Sequence, residues 1–152
     1  MDVDFRIRPA STHDLPALVR LLGVLFSLEA DFSADEDRQR WGLALMLADR
    51  RSRMVLVADR AGTVVGMVTG QLVISTAEGG PSALVEDMVV DEAARGRGVG
   101  RALLEALEAW AAEHGATRLQ LLADRENAPA LEFYRRSGWR PTQLVCLRRG
   151  GR

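Results

Sequence analysis

Lysine is absent from this chain: all 20 basic side chains are arginine, set against 21 acidic ones. Without lysine there is no Gly-Lys-[Ser/Thr] ending for a Walker phosphate loop and no side-chain amine for Schiff-base chemistry. Cysteine is nearly absent as well. Cys146 alone can neither close an internal disulfide nor build a Cys-rich zinc site, and a reducing compartment is expected. The two histidines, His13 and His114, lack the i, i+4 spacing of a helical metal pair. The expectation is an activity that uses no metal and no covalent side-chain intermediate.

Long apolar runs are missing too, so no membrane span is expected. The first residues, Met1 to Phe5, are acidic rather than basic-then-apolar as in a signal peptide, which makes the cytoplasm the expected compartment. A formal net charge of -1, with no basic face interleaved with aromatics, argues against a nucleic-acid partner. What is present suits one domain over residues 1–152: hydrophobic content of 47% and charged content of 27% belong to an ordinary folded chain with a single core.

Val3–Arg8 alternates like a short strand. Ser11 with Asp14 forms a capping-box pattern, and Leu15, Leu18, Val19, Leu22, Leu25 and Phe26 follow at a helical period. After the acidic stretch Glu29–Asp37 a second helix is expected, with Trp41, Leu45 and Leu47 or Ala48 on its buried side. Met54–Ala58, Val64–Ile74 and Leu84–Val90 read as three successive strands, the middle one interrupted by Gly66 and Gly70. A helix opens in Gly96–Gly100 and runs to about His114, with Val99, Leu103, Leu107 and Trp110 as its apolar stripe. A strand over Thr117–Ala123, a helix over Asn127–Ser137 and a last strand over Thr142–Arg148 complete the order. Three strands in series suggest an antiparallel meander, and the later strand–helix–strand unit a parallel pair. The fold class is α/β: a mixed, mostly antiparallel sheet with helices on both faces.

The most informative stretch joins the strand ending at Val90 to the helix after Gly100. Gly96, Gly98 and Gly100 remove side chains where a strand turns into a helix, so backbone N–H groups and the positive end of the helix dipole can converge on an anion. Arg95, Arg97 and Arg101 add guanidinium groups suited to bidentate phosphate contacts. The alternative is a plain glycine-rich turn with arginines on a solvated face. A dinucleotide fingerprint fails on spacing, because after Gly96 and Gly98 its third glycine would be residue 101, an arginine.

Arg95-x-x-Gly98-x-Gly100, placed after that strand, resembles the acyl-CoA pyrophosphate loop of the GNAT N-acetyltransferase superfamily. A second block, Asn127-x-x-Ala-x-x-x-Tyr134-x-x-x-Gly138-Trp139, matches the same family in order and spacing. Within the family, Val85-Glu-Asp-Met-Val-Val90 is most similar to the diamine and polyamine acetyltransferase branch.

The resemblance implies acetyl-CoA as cosubstrate and a splayed central strand pair, Val90's strand parting from Leu119–Ala123 to leave a V-shaped slot. In that slot the backbones of Met88, Val89 and Val90 would pair with the pantetheine arm, with the Met88 N–H facing the thioester carbonyl. Arg95, Gly96, Arg97, Gly98, Val99, Gly100 and Arg101 would hold the pyrophosphate, and Asn127 would add a hydrogen bond to the arm besides capping its helix. Tyr134 would protonate the departing thiolate; the alternative is a half-buried aromatic packing on the sheet. Glu86 is the base candidate, preferred over Asp87 by resemblance. The two point to opposite faces of a regular strand, and a bulge would change that. Cys146 reads as a small buried residue and His114 as a structural group at a helix end.

The expected reaction is acetyl transfer to a primary amine, by direct attack in a ternary complex. Glu29–Asp37 and Glu78 point to a small cationic acceptor, such as a di- or polyamine, an aminoglycoside-like compound or a basic amino acid. The alternatives are a protein N-acetyltransferase acting on a chain terminus or lysine, and a module that binds acyl-CoA without turnover. A homodimer through the last strand or the meander is a further implication of the resemblance.

Overall fold

The computed structural model of the chain describes residues 4–28 and 35–151. Five strands, β1 (Arg6–Pro9), β2 (Arg53–Arg60), β3 (Thr63–Ser75), β4 (Gly80–Val90) and β5 (Leu119–Leu121), form one sheet in sequence order. β1 through β4 pair antiparallel, and β4 pairs with β5 in parallel. Helices α1 (Leu15–Leu28) and α2 (Glu36–Leu47) cover one face, and α3 (Val99–Glu113) covers the other. A fourth helix, α4 (Ala128–Arg136), follows β5. The α/β class with a mixed sheet is as the sequence implies.

Local chemistry fixes the start of α1. The Ser11 N–H donates to the Asp14 carboxylate at 2.8 Å, satisfying a donor that the helix itself cannot. Asp14 also receives both terminal nitrogens of Arg8, at 2.8 and 2.9 Å, while Arg8 Nε donates to Asp59 on β2 at 2.9 Å. One guanidinium thus ties β1, β2 and the entry to α1. Leu18, Val19, Leu21 and Leu22 then bury their stripe against Val55, Val57, Met67 and Val89 of the sheet.

On the opposite face α3 buries Val99, Leu103, Leu104, Leu107, Trp110 and Ala111, the stripe expected from its period. It comes close because β3 carries glycine beneath it. A Cβ on Gly70 would stand 2.8 Å from Leu107 Cδ1, and one on Gly66 would stand 3.1 Å from Leu103 Cδ1. The interruptions in the strand pattern are therefore seats for leucines.

Two expectations fail. On α2 the buried residues are Gln39 and Leu43, whereas Trp41 is 70% and Leu45 50% exposed; of the expected positions Leu47 alone packs, half-buried, against this core. The i, i+4 spacing is right, but the helix is rotated so that a polar residue faces inward. The last strand, Thr142–Arg148, does not form: the segment has no strand pairing, and Leu144, Val145 and Leu147 are exposed. Alternation makes a segment able to pair but supplies no partner, and β5 offers only three residues of edge. The splayed pair β4–β5 accordingly lies at the sheet's margin, and Cys146 is exposed rather than buried. Among the described residues no helix is long and apolar enough to cross a membrane.

Candidate active site

A bulge in β4 organises the site. Val68 pairs with Met88 and Gly70 with Val85, so Glu86 and Asp87 together oppose the single residue Thr69. Val85 and Met88 both pack into the α3-side core. The two carboxylates between them are both turned to the other face, where α1 and α2 lie. There they line a cavity of about 620 Å³ with Thr69, Gln71 and Arg53 of the sheet, Leu22 and Phe26 of α1, and Gln39, Gly42, Leu43 and Met46 of α2. A regular strand would have sent one of the pair to each face.

The two acids differ in environment. Glu86 is exposed and Asp87 half-buried. The Thr69 hydroxyl donates to Asp87 Oδ2 at 2.9 Å and accepts the Asp87 N–H at 3.0 Å. Burial pushes the Asp87 carboxyl up to about 6, against the Thr69 hydrogen bond and with help from the charge of Glu86. Among the described residues the remaining charges on the cavity wall are Asp35, Arg38 and Arg53. Arg38 pairs with Asp35 at 3.3 Å, and Arg53 donates to the Leu45 carbonyl at 2.9 Å.

Of the acidic segment expected to attract a cation, Glu29 and Asp31 lie outside the described residues. Asp35 caps α2 by accepting the Arg38 N–H at 3.2 Å. Glu78 lies in the β3–β4 turn, 3.7 Å from Arg118, and does not line this cavity.

Beyond the bulge β4 loses its neighbour. The parallel ladder runs from Ala83–Leu119 to Val85–Leu121 and stops, so Met88, Val89 and Val90 have a partner in β3 but none in β5. The expected slot is thus present. The Val90 carbonyl accepts Arg95 Nε at 3.0 Å, which folds the following loop back over the strand's end.

In that loop Gly96 and Gly98 have φ of 76° and 83°, the left-handed region that favours glycine. A Cβ at either would meet nothing within 4 Å, so both glycines face open space. Gly98 caps α3 without a side chain, and the first intrahelical bond runs from Ala102 N–H to the Gly98 carbonyl at 3.0 Å. The amides of Val99, Gly100 and Arg101 therefore precede the helical ladder and supply donors at its positive end. Arg97 stands 3.7 Å from Asp4, and Arg101 2.8 Å from Glu105, both exposed pairs of the kind that a stronger anion displaces readily. Gly100 has a packing role as well, since a Cβ there would lie 3.2 Å from Met88 Cε and 3.4 Å from the Phe133 ring.

Helix α4 begins as the sequence implies. Asn127 Oδ1 accepts the Ala130 N–H at 3.2 Å, and Pro129 sits in the first turn. Tyr134 is half-buried, with its ring centroid 5.2 Å from that of Phe133 and 6.1 Å from that of Trp139. Trp139 packs on the α3-side core and donates to Glu108 at 3.2 Å. The tyrosine is not among the residues lining the carboxylate cavity; its aromatic neighbours tie it to the α3 side of β4. His114 closes α3, with Nδ1 2.9 Å from the Trp110 carbonyl.

Residues 16–139 match the model of the acetyltransferase (GNAT) family. The chain belongs to that family. It is an acyl-CoA-dependent N-acetyltransferase. Aminoglycoside N(6')-acetyltransferase type 1 of Stenotrophomonas maltophilia is 30% identical over 142 residues, covering 91% of this acetyltransferase and 88% of that one. Streptothricin acetyltransferase of Streptomyces lavendulae is 34% identical over 92 residues, 60% of this chain and 46% of that protein, so the chain spans less than half of that relative's length. Among solved structures, an aminoglycoside acetyltransferase from an uncultured soil metagenomic sample, in complex with trehalose, superposes with a TM-score of 0.81 at 25% identity, covering 99% of each chain. The diamine and polyamine branch is not among these likenesses. The burial of Gln39 and of the Asp87 carboxyl has no signal in the sequence, because a polar letter does not announce it.

Proposed function

We propose that this acetyltransferase moves the acetyl group of acetyl-CoA to the primary amine of a small cationic molecule, by direct attack in a ternary complex. The observation that carries the reading is the bulge that turns Glu86 and Asp87 into one cavity beside an unpaired stretch of β4. A cavity of about 620 Å³ has the size of a small-molecule site. The glycine loop fits a pyrophosphate: glycines that face open space, amides at a helix start and three arginines. Acetyl-CoA supplies the activated acetyl group.

This chain's residues take the following parts. Met88, Val89 and Val90 offer backbone groups to the pantetheine arm, and the Met88 N–H is assigned to the thioester oxygen. Glu86, at the exposed position, draws in the ammonium group, and Asp87 accepts its proton. A carboxylate titrating near 6 is ionised at neutral pH and is a stronger base than an ordinary one, which favours Asp87 over Glu86 for that step. The freed nitrogen lone pair forms the new C–N bond, the C–S bond breaks, and Tyr134 protonates the leaving sulfur from the other face of β4. The second amine proton leaves to water or to Glu86.

Thiol release from acetyl-CoA across a panel of amines tests the reading. Release with small cationic amines supports it. Release with peptide amines alone would make the chain a protein acetyltransferase, and acyl-CoA binding with no release would make it a binding module.

A further inference from the structure

Asp91 passes over the bond that its place in the chain offers. It stands at the N-cap of the short turn Glu92–Ala94, where an aspartate carboxylate ordinarily accepts a backbone N–H, yet its side chain makes no cap hydrogen bond. Its two oxygens instead take both terminal nitrogens of Arg20 on α1, at 2.8 and 3.0 Å. One of those nitrogens also donates to the Val64 carbonyl of β3 at 3.1 Å. An exposed ion pair with a single contact contributes little. This one is bidentate, adds a backbone carbonyl and joins positions 71 residues apart.

What the pair holds is a corner. Met88, Val89 and Val90 are paired with β3, and the Asp91 N–H donates to the Val65 carbonyl at 2.8 Å, so up to that point the strand is held without α1. The chain then turns through Ala94, whose N–H donates to the Asp91 carbonyl at 2.9 Å, and enters the glycine loop at Arg95. The ladder to β5 has already stopped at Val85, so no strand on that side fixes the direction in which the turn leaves the sheet. Arg20 fixes it from α1, and the bond from Arg95 Nε to the Val90 carbonyl fixes it from the loop. The corner sets the angle between two surfaces: the strand end assigned to the pantetheine arm and the loop assigned to the pyrophosphate. A ligand that spans two surfaces gains from the second only where the geometry lets both engage at once.

We propose that Arg20 is a positioning residue for acyl-CoA: through Asp91 it fixes the corner between β4 and the glycine loop, so that the arm and the pyrophosphate of one molecule are held together. This rests on the acetyl-CoA reading above and adds to it a residue of α1 that belongs to neither surface.

The test compares coenzyme A, titrated by calorimetry, with pantetheine, which lacks the pyrophosphate and is followed by NMR chemical shifts. Both are measured in wild type, Arg20→Met, Asp91→Ser and the double variant, below the melting temperature of each protein. Serine keeps the capping chemistry of the turn and lacks the carboxylate that Arg20 holds. In each single variant the ratio of CoA affinity to pantetheine affinity should fall about 10-fold. The double variant should fall no further, because the two side chains act as one tie. A pair that serves only the fold would lower the melting temperature and leave the ratio where it was, and that result overturns the proposal. So does an equal loss for both ligands. So does an Asp91→Ser protein that binds like wild type while Arg20→Met does not, since Arg20 would then not act through Asp91. If wild type binds neither ligand, the acetyl-CoA reading fails and the proposal falls with it; if wild type binds CoA and the variants keep its ratio, the proposal alone fails.

Discussion

Thr69 and Asp87 clasp each other across the β3–β4 bulge. One hydroxyl oxygen accepts the Asp87 N–H at 3.0 Å and, through its own hydrogen, donates to the Asp87 carboxylate at 2.9 Å. The backbone group left unpaired by the bulge and the carboxylate it exposes to the cavity are satisfied by the same side chain. The kink that brings two acids together therefore also anchors the more buried of them.

The first prediction concerns pH. If Asp87 takes the proton from the amine, kcat/KM rises with pH through an acid limb near 6, the value to which burial pushes this carboxyl. Asp87→Asn should remove that limb and lower kcat/KM by about 10²- to 10⁴-fold, whereas Glu86→Gln should cost less and act mainly on KM. Stability should move the opposite way. A carboxyl whose folded value is raised contributes stability that is fully present below its unfolded value and is lost as pH rises through about 6. Asp87→Asn should therefore melt higher than wild type at pH 7, and not at pH 3.5. Thermal melts at the two pH values, beside pH–rate profiles, check both halves.

Thr69→Val separates the clasp from the carboxylate. Without the hydroxyl, the one group that holds the Asp87 value down is gone, so the acid limb should shift upward in pH while Asp87 remains available. An unshifted limb would mean that another group sets it.

How much of this was readable in advance depended on whether a pattern names its own partner. The α3 stripe did, because six apolar positions at helical spacing admit one burial face. The left-handed turn at Gly96 and Gly98 did, because glycine at alternate positions has few other uses at a helix start. Asn127 and Pro129 named a helix start on their own. The face of α2 was not readable: Trp41 and Leu45 make the more apolar stripe, yet the inward positions belong to Gln39 and Leu43. Thr142–Arg148 alternates without a neighbour to pair with. The bulge between Val85 and Met88 leaves no mark in composition, since it is a mismatch in register between two strands, and only their pairing reveals that Glu86 and Asp87 share a face.

Arg8 gives a prediction about acid stability. Its guanidinium, 27% exposed, holds Asp14 and Asp59, each under 10% exposed. Hydrogen bonds from Arg8 hold both carboxyls below the usual range. Carboxyls lowered on folding contribute stability above their unfolded value of about 3.9 and lose it as pH falls through the lowered folded values. Arg8→Met leaves Asp14 with only the Ser11 N–H and Asp59 with the Gly62 N–H and Arg6 at 3.8 Å, and should cost about 2–4 kcal/mol at pH 7. The cost should shrink as the pH of a urea titration is brought from 7 toward 2.

Gly70 gives a prediction about packing. An added Cβ would stand 2.8 Å from Leu107 Cδ1 in a fully buried part of the core. Gly70→Ala should lower stability by about 1–3 kcal/mol through overpacking. Leu107→Ala alone should cost about 2–5 kcal/mol by opening a cavity. Together they should cost less than the sum, because the new methyl occupies space the leucine vacated. Full additivity in denaturant titrations would mean that β3 and α3 adjust independently.

Tyr134 carries the last prediction, since packing and the proposed acid role place different demands on one ring. Phe133 and Trp139 pack beside it, and Phe133 reaches the first turn of α3 at Gly100. Its phenol is the only one in the chain. Tyr134→Phe keeps the ring and its packing and removes only the hydroxyl. If that hydroxyl protonates the leaving sulfur, kcat should fall by about 10²- to 10⁴-fold while CoA affinity and melting temperature change little. The loss should also depend on the leaving group: a thioester whose thiol is more acidic needs less protonation, so the ratio of wild-type to variant kcat should narrow with an activated aryl thioester of the same acyl group. A loss of the same size on both thioesters would assign the hydroxyl to binding or to structure. An unchanged kcat would leave Tyr134 as part of the aromatic packing between α4 and the start of α3.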